Sequence, residues 1–209
     1  MIEQNISFHR LLIDCQRMYL TALHRLSVHD SVLCSTFFDL DEKTCSTLSG
    51  ISHEEFDKIC QSLNHWVLSS MTYKSQRSLS IGFKLDDWVD NVCAESSAEI
   101  NYNNKFNYPD NLSIENRKYF DDILEAQSAL LLSLGDSAYH SRGFTVGVTG
   151  IDNSLISKLV NSWFSPMKMR SLRCLSPVFT INKKINVPLF LRDGRESLLS
   201  VEAGIYSIN

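Results

Sequence analysis

Apolar residues recur at spacings of three and four from Phe8 through Leu11, Leu12, Cys15, Met18, Tyr19, Ala22 and Leu23 to Leu26. That period predicts a long amphipathic helix with a broad apolar stripe. A stripe so wide on so small a unit needs a covering surface, either the rest of the chain or another subunit. Leu11, Cys15, Met18, Tyr19, Leu23 and Leu26 are therefore expected at an oligomer interface, and the chain is expected to form a homo-oligomer.

A shorter pattern follows. Asp41 and Glu42 suit a first helical turn, Gly50 suits the positive φ of a helix C-terminus, and Ser52 with Glu55 forms a capping-box pattern for the next helix. The prediction is a short helix, a tight turn and a second helix ending near Leu63. Glu54, Glu55 and Asp57 outweigh Lys58 there, so this second helix would repel phosphate and reads as a packing or dimerising element. Phe83, Leu85, Trp88 and Val89 predict another short helix within 81–92.

From Ala94 to Ser113 the chain turns polar, with Asn101, Asn103, Asn104, Asn107, Pro109, Asp110 and Asn111, the composition of a linker or long loop. The order of elements then repeats. Phe120, Ile123, Leu124, Ala129, Leu130, Leu131 and Leu134 give a second long helix, and a Gly-rich stretch from Arg142 to Ile151 leads on. Asp152 can cap a helix running to about Asn161. Ser165 and Pro166 then start another, with Ser as N-cap and Pro where a missing N–H costs nothing. Phe179-Thr-Ile181 and Val187-Pro-Leu-Phe-Leu191 predict short strands, with Lys183 and Lys184 at a turn between them. The expected fold is mainly α: two tandem helical units, each a long helix followed by a helix-turn-helix-like pair, with short strands in the C-terminal tail. The units are 1–93 and 114–209, joined by the linker 94–113.

Charge changes the picture. Residues 1–153 carry 12 Lys and Arg against 21 Asp and Glu, a net −9, and residues 154–209 carry 8 against 3, a net +5, which together make the −4 of the chain. Lys168, Arg170 and Arg173 lie on the helix begun by Ser165, with no acid among them. A capped start followed by cations is what a recognition helix needs in the major groove. DNA is thus the expected partner, contacted by Ser165, Lys168, Arg170 and Arg173, with Arg142, Lys183 and Lys184 as weaker phosphate contacts.

Other chemistries lack their residues. The six cysteines (Cys15, Cys34, Cys45, Cys60, Cys93 and Cys174) contain no Cys-x-x-Cys pair and read as reduced core thiols. His29 beside Asp30 and His53 beside Glu54 make no dyad, because adjacent helical residues point to different faces. Residues 143–150 lack both the Gly-Lys-Ser/Thr ending of a phosphate loop and the glycine spacing of a dinucleotide site. Neither an enzyme, nor a metal, nor a cofactor is expected, and without a long apolar run or a signal peptide the chain is expected to be cytoplasmic and away from membranes.

Tyr19-Leu-Thr-Ala-Leu-His-Arg-Leu-Ser-Val-His-Asp30, Leu40-Asp-Glu-Lys-Thr-Cys-Ser-Thr-Leu48 and Phe56-Asp-Lys-Ile-Cys60 resemble the FlhD subunit of the bacterial flagellar master regulator over residues 8–73. Residues 119–181 look like a second, more distant copy, or equally like the N-terminal half of the FlhC subunit, the likeness carried by Leu130-Leu-Leu-Ser-Leu-Gly135 and Ser154-Leu-Ile-Ser-Lys-Leu159. The resemblance implies a helical transcription activator that dimerises through its long helices and acts with an FlhC-like partner. Members with altered architecture activate transfer genes of conjugative elements. Leu68 stands where the flagellar subunit often has an intersubunit cysteine, and no four-cysteine cluster is present, so neither that disulfide nor the FlhC zinc site carries over. The competing expectation is an adaptor or antagonist that binds a regulator through the FlhD-like surface and never touches DNA.

Overall fold

A computed structural model describes residues 2–71, 85, 108, 112–162, 172, 175–185, 187 and 191. Among the described residues there are seven helices: α1 (Ile2–His29), α2 (Ser31–Phe38), α3 (Glu42–Ser49), α4 (His53–Ser62), α5 (Ile114–His140), α6 (Arg142–Thr149) and α7 (Asn153–Ser162). Two short strands, β1 (Leu68–Ser70) and β2 (Phe179–Ile181), pair antiparallel. The fold is mainly α, as the period of the apolar residues predicts.

Local chemistry sets the boundaries. Asp30 Oδ1 accepts from Leu33 N at 2.9 Å and Asp41 Oδ1 from Thr44 N at 2.8 Å, capping α2 and α3. Ser52 and Glu55 close the predicted capping box on α4. Asp152 Oδ1 accepts from Ser154 N at 2.6 Å at the start of α7.

The two long helices lie antiparallel. Phe8 near the start of α1 meets His140 at the end of α5, Cys15 Sγ lies 3.0 Å from Ser133 Oγ midway, and His29 at the end of α1 meets Tyr119 near the start of α5. One apolar core runs through both units, from Leu12, Tyr19 and Leu23 of α1 to Ile123, Leu130 and Leu134 of α5. The stripe of α1 thus finds its cover inside the chain. Cys15, Tyr19, Leu23 and Leu26, expected between subunits, are buried against the chain's own second unit, whereas Leu11 and Met18 face outward at 42% and 55% exposure.

The halves correspond residue by residue. Gln16 donates to His65 O at 2.8 Å and accepts from Val67 N at 2.6 Å; Gln127 donates to Ser176 O at 3.1 Å and accepts from Val178 N at 2.7 Å. Gln127 follows Gln16, and Val178 follows Val67, by the same 111 positions. The same offset relates the corner residues Asp30 (φ −149°, ψ 89°) and Ser141 (φ −154°, ψ 91°), and the left-handed residues Asp39 (φ 52°) and Gly150 (φ 62°). It also relates the ring contacts Phe8–His140 and Tyr119–His29, at 4.9 and 4.7 Å. In the strand pair Leu68 faces Ile181, Ser69 faces Thr180 and Ser70 faces Phe179, so Ser69 and its counterpart Thr180 sit on a pseudo-twofold axis. The chain folds as a dimer of two unlike halves within one polypeptide.

Packing shapes three further segments, and at Gly50 and 187–191 it corrects the expectation. Residues 142–149 form α6 despite their glycines, because Thr145 and Thr149 are buried and the Thr145 hydroxyl donates to Ser141 O at 3.1 Å, with Ser137 Oγ at 2.8 Å. Gly50 ends α3 with an ordinary right-handed φ of −79°, and the left-handed turn falls on Asp39 instead. β2 pairs with β1 across the pseudo-axis, not with 187–191, where Val187 and Leu191 are helical and buried.

Candidate functional site

The sequence points to cations for the candidate DNA contact. Ser165, Lys168, Arg170 and Arg173 lie outside the described residues, as does the helix expected over 81–92 apart from the buried Leu85. Arg142 is the exposed first residue of α6, and Ser141 makes no side-chain cap bond there. A cationic residue at a helix start that lacks a side-chain cap is an arrangement that favours an anion. Lys183 Nζ is held 2.9 Å from Asp39 Oδ2, tying the turn after β2 to the first unit. Lys184 is exposed at the same turn, its backbone N–H donating to Asn182 Oδ1 at 3.0 Å.

A cleft of about 520 Å³ opens on the side of α1 away from the strands, between α4 and α5. Met18, Ala22, Ala126 and Ala129 form its apolar floor, while Arg17, Arg25, Asp57, Asp122 and Glu125 stand around it. Arg17 holds the cleft open at one side. Its guanidinium donates to Gln61 O at 3.0 Å, to Leu63 O at 2.6 Å and to Asp14 Oδ1 at 2.8 Å. A cation on the last carbonyls of α4 is the favourable sign for that helix end. The Cys60 thiol at the cleft wall is pushed up to about 12 by burial, which makes it an inert packing group rather than a nucleophile.

The other side of α4 is fixed by a histidine pair. His24 is buried, stacks on Phe56 with centroids 4.1 Å apart, and has Nε2 3.1 Å from Ile51 O and Nδ1 3.2 Å from His53 Nδ1. A carbonyl only accepts, so Nε2 of His24 carries the proton, its Nδ1 accepts, and His53 Nδ1–H donates. Burial pulls the His24 pKa below 6.5, opposed by the Ile51 carbonyl. Among the described residues no group of three or more His, Cys, Asp or Glu side chains is arranged to hold a metal ion, and no helix is long and apolar enough to cross a membrane.

The cleft was missed in the sequence because Leu11 and Met18 fit the apolar stripe at its edge. The signal that separates them is the spacing of seven through Leu11, Met18 and Arg25, a line along one helix face that ends in a charge.

Comparison of the chain with known protein families, with curated proteins and with solved structures gives no match.

Proposed function

We propose that the protein is a DNA-binding transcription regulator, an activator that works with a second, FlhC-like subunit. The observation that carries the reading is the separation of charge: net +5 over residues 154–209 against −9 over 1–153, with the exposed Arg142 at the start of α6. Phosphate contact needs such cations, and the resemblance of residues 8–73 to FlhD supports the regulatory role. Lys168, Arg170 and Arg173 supply the main contact, with Arg142 and Lys184 supporting it; Lys183, engaged by Asp39, contributes least.

The test is fluorescence anisotropy on the DNA upstream of its own coding sequence, with and without the co-expressed partner, across a salt series. The Lys168→Ala/Arg170→Ala/Arg173→Ala variant should lose binding and lower the log–log salt slope by about one unit per phosphate contact removed, at unchanged helical content. Wild-type affinity in that variant sinks the DNA reading. The second reading, an adaptor that binds a regulator and not DNA, is favoured by one feature, the acid-walled cleft along α1.

A further inference from the structure

We infer that the cleft between α1, α4 and α5 is a docking site for one cationic amphipathic helix of a partner protein, and that each chain offers this site once. The inference stands whether the protein binds DNA or acts as an adaptor, because it uses only residues of the helix pair.

Three observations converge. First, the floor is apolar and open. Met18 is 55% exposed on it and Leu11 continues the same face at 42%, whereas the neighbouring stripe of α1 is buried. Small residues, Ala22, Ala126 and Ala129, let a partner's backbone approach closely. Second, the walls are acidic. Asp122 and Glu125 lie one turn apart on α5 and, among the described residues, form no hydrogen bond or ion pair; Asp57 faces them from α4, with a long 3.4 Å contact from Thr21 Oγ1. Of the two cations that line the cleft, Arg17 is spent on the end of α4, which leaves, among the described residues, Arg25 to offset three carboxylates. A ligand with an apolar face and lysine or arginine along its edges satisfies these acids, with one acid of its own for Arg25.

Third, the pseudo-twofold does not reproduce the site. At the offset of 111, Asp122 and Glu125 correspond to Leu11 and Asp14, Arg25 to Asp136, and Arg17 to Ser128. Asp14 is itself paired with Arg17 at 2.8 Å. A symmetric dimer would carry two equal grooves, whereas the unlike halves carry this one. A second copy of the chain is disfavoured as occupant: a twofold packing of the cleft on itself would bring the acids that wall it, Asp57, Asp122 and Glu125, together with those of the other copy.

The test uses the full chain and two synthetic amphipathic helices, one of leucine and lysine and one of leucine and glutamate, by isothermal titration and by chemical shifts. The lysine helix should bind at one per chain and about tenfold or more tighter than the glutamate helix, and salt should weaken it. Asp122→Lys with Glu125→Lys should reverse the preference. Met18→Glu, at an exposed position, should abolish binding with the circular dichroism spectrum unchanged. Equal binding of both peptides, two sites per chain, no binding at all, or binding indifferent to Met18→Glu overturns the proposal; so does a dimer in light scattering that Met18→Glu dissociates, which would make the occupant a second copy.

Discussion

At the scale of single residues, the fold depends on a few side chains that each close several backbone groups. Gln16 and Gln127 are fully buried, and each satisfies one carbonyl and one N–H in the segments leading into the strands. Replacing Gln16 by Leu removes the acceptor of the buried Val67 N–H, at about 1–3 kcal/mol. Urea denaturation should show a loss of that order for Gln16→Leu and a similar loss for Gln127→Leu. His24 gives a pH dependence with a definite sign. Its pKa is lowered in the folded chain, so the unfolded chain binds the proton first, and stability falls as pH drops through 6.5 toward the folded value, then levels off. Thermal melts between pH 7.5 and pH 5 should show this decline, and His24→Gln should flatten it. A wild-type melting point that rises on acidification would refute the assignment.

At the scale of elements, the sequence was legible where one local rule decides. The capping box of Ser52 and Glu55, the cap of Asp152 and the long amphipathic helices all follow from spacing. It was not legible where burial outweighs propensity. Gly143 and Gly147 lower the helix propensity of their segment, yet α6 forms because Thr145 and Thr149 have a core to enter. The strand β2 was readable at Phe179–Ile181, but its partner lies 111 residues earlier in the chain, on the far side of an axis that no local pattern announces. The two glycine environments of α6 give opposite predictions. A Cβ at Gly147 would meet nothing within 4 Å in a helix interior, so Gly147→Ala should stabilise by about 0.5–1 kcal/mol. Gly150 also has space but sits at φ +62°, so Gly150→Ala should destabilise by about 1 kcal/mol through backbone strain alone. Paired denaturation curves decide both.

At the scale of the whole molecule, Cys15, Tyr19, Leu23 and Leu26, expected between subunits, lie in the core that the two halves of one chain share. Leu23 is 1% exposed in the shared core, so Leu23→Asp buries an unpaired charge and should unfold the protein rather than merely dissociate it, at about 4 kcal/mol or more. Loss of the cooperative melt, read by circular dichroism, checks this; a folded monomer would contradict it. The candidate site divides in the same way. Its cations were legible as charge, while its cleft is made by three helices from both halves, whose packing buries Tyr19 and leaves Met18 beside it exposed.

The join between the halves changes the arithmetic of assembly. Two separate subunits lose translational and rotational freedom on pairing, a cost of about 4–15 kcal/mol that grows as the protein is diluted. Here the linking chain turns that encounter into ring closure at a fixed effective concentration. The pairing of α1 with α5 should survive dilution, with a melting point that does not move with protein concentration. Inheritance changes too: in a homodimer every substitution appears on both sides of the axis, whereas here it appears on one. That freedom is what lets Leu11 and Asp122, or Arg25 and Asp136, occupy matching places with unlike chemistry.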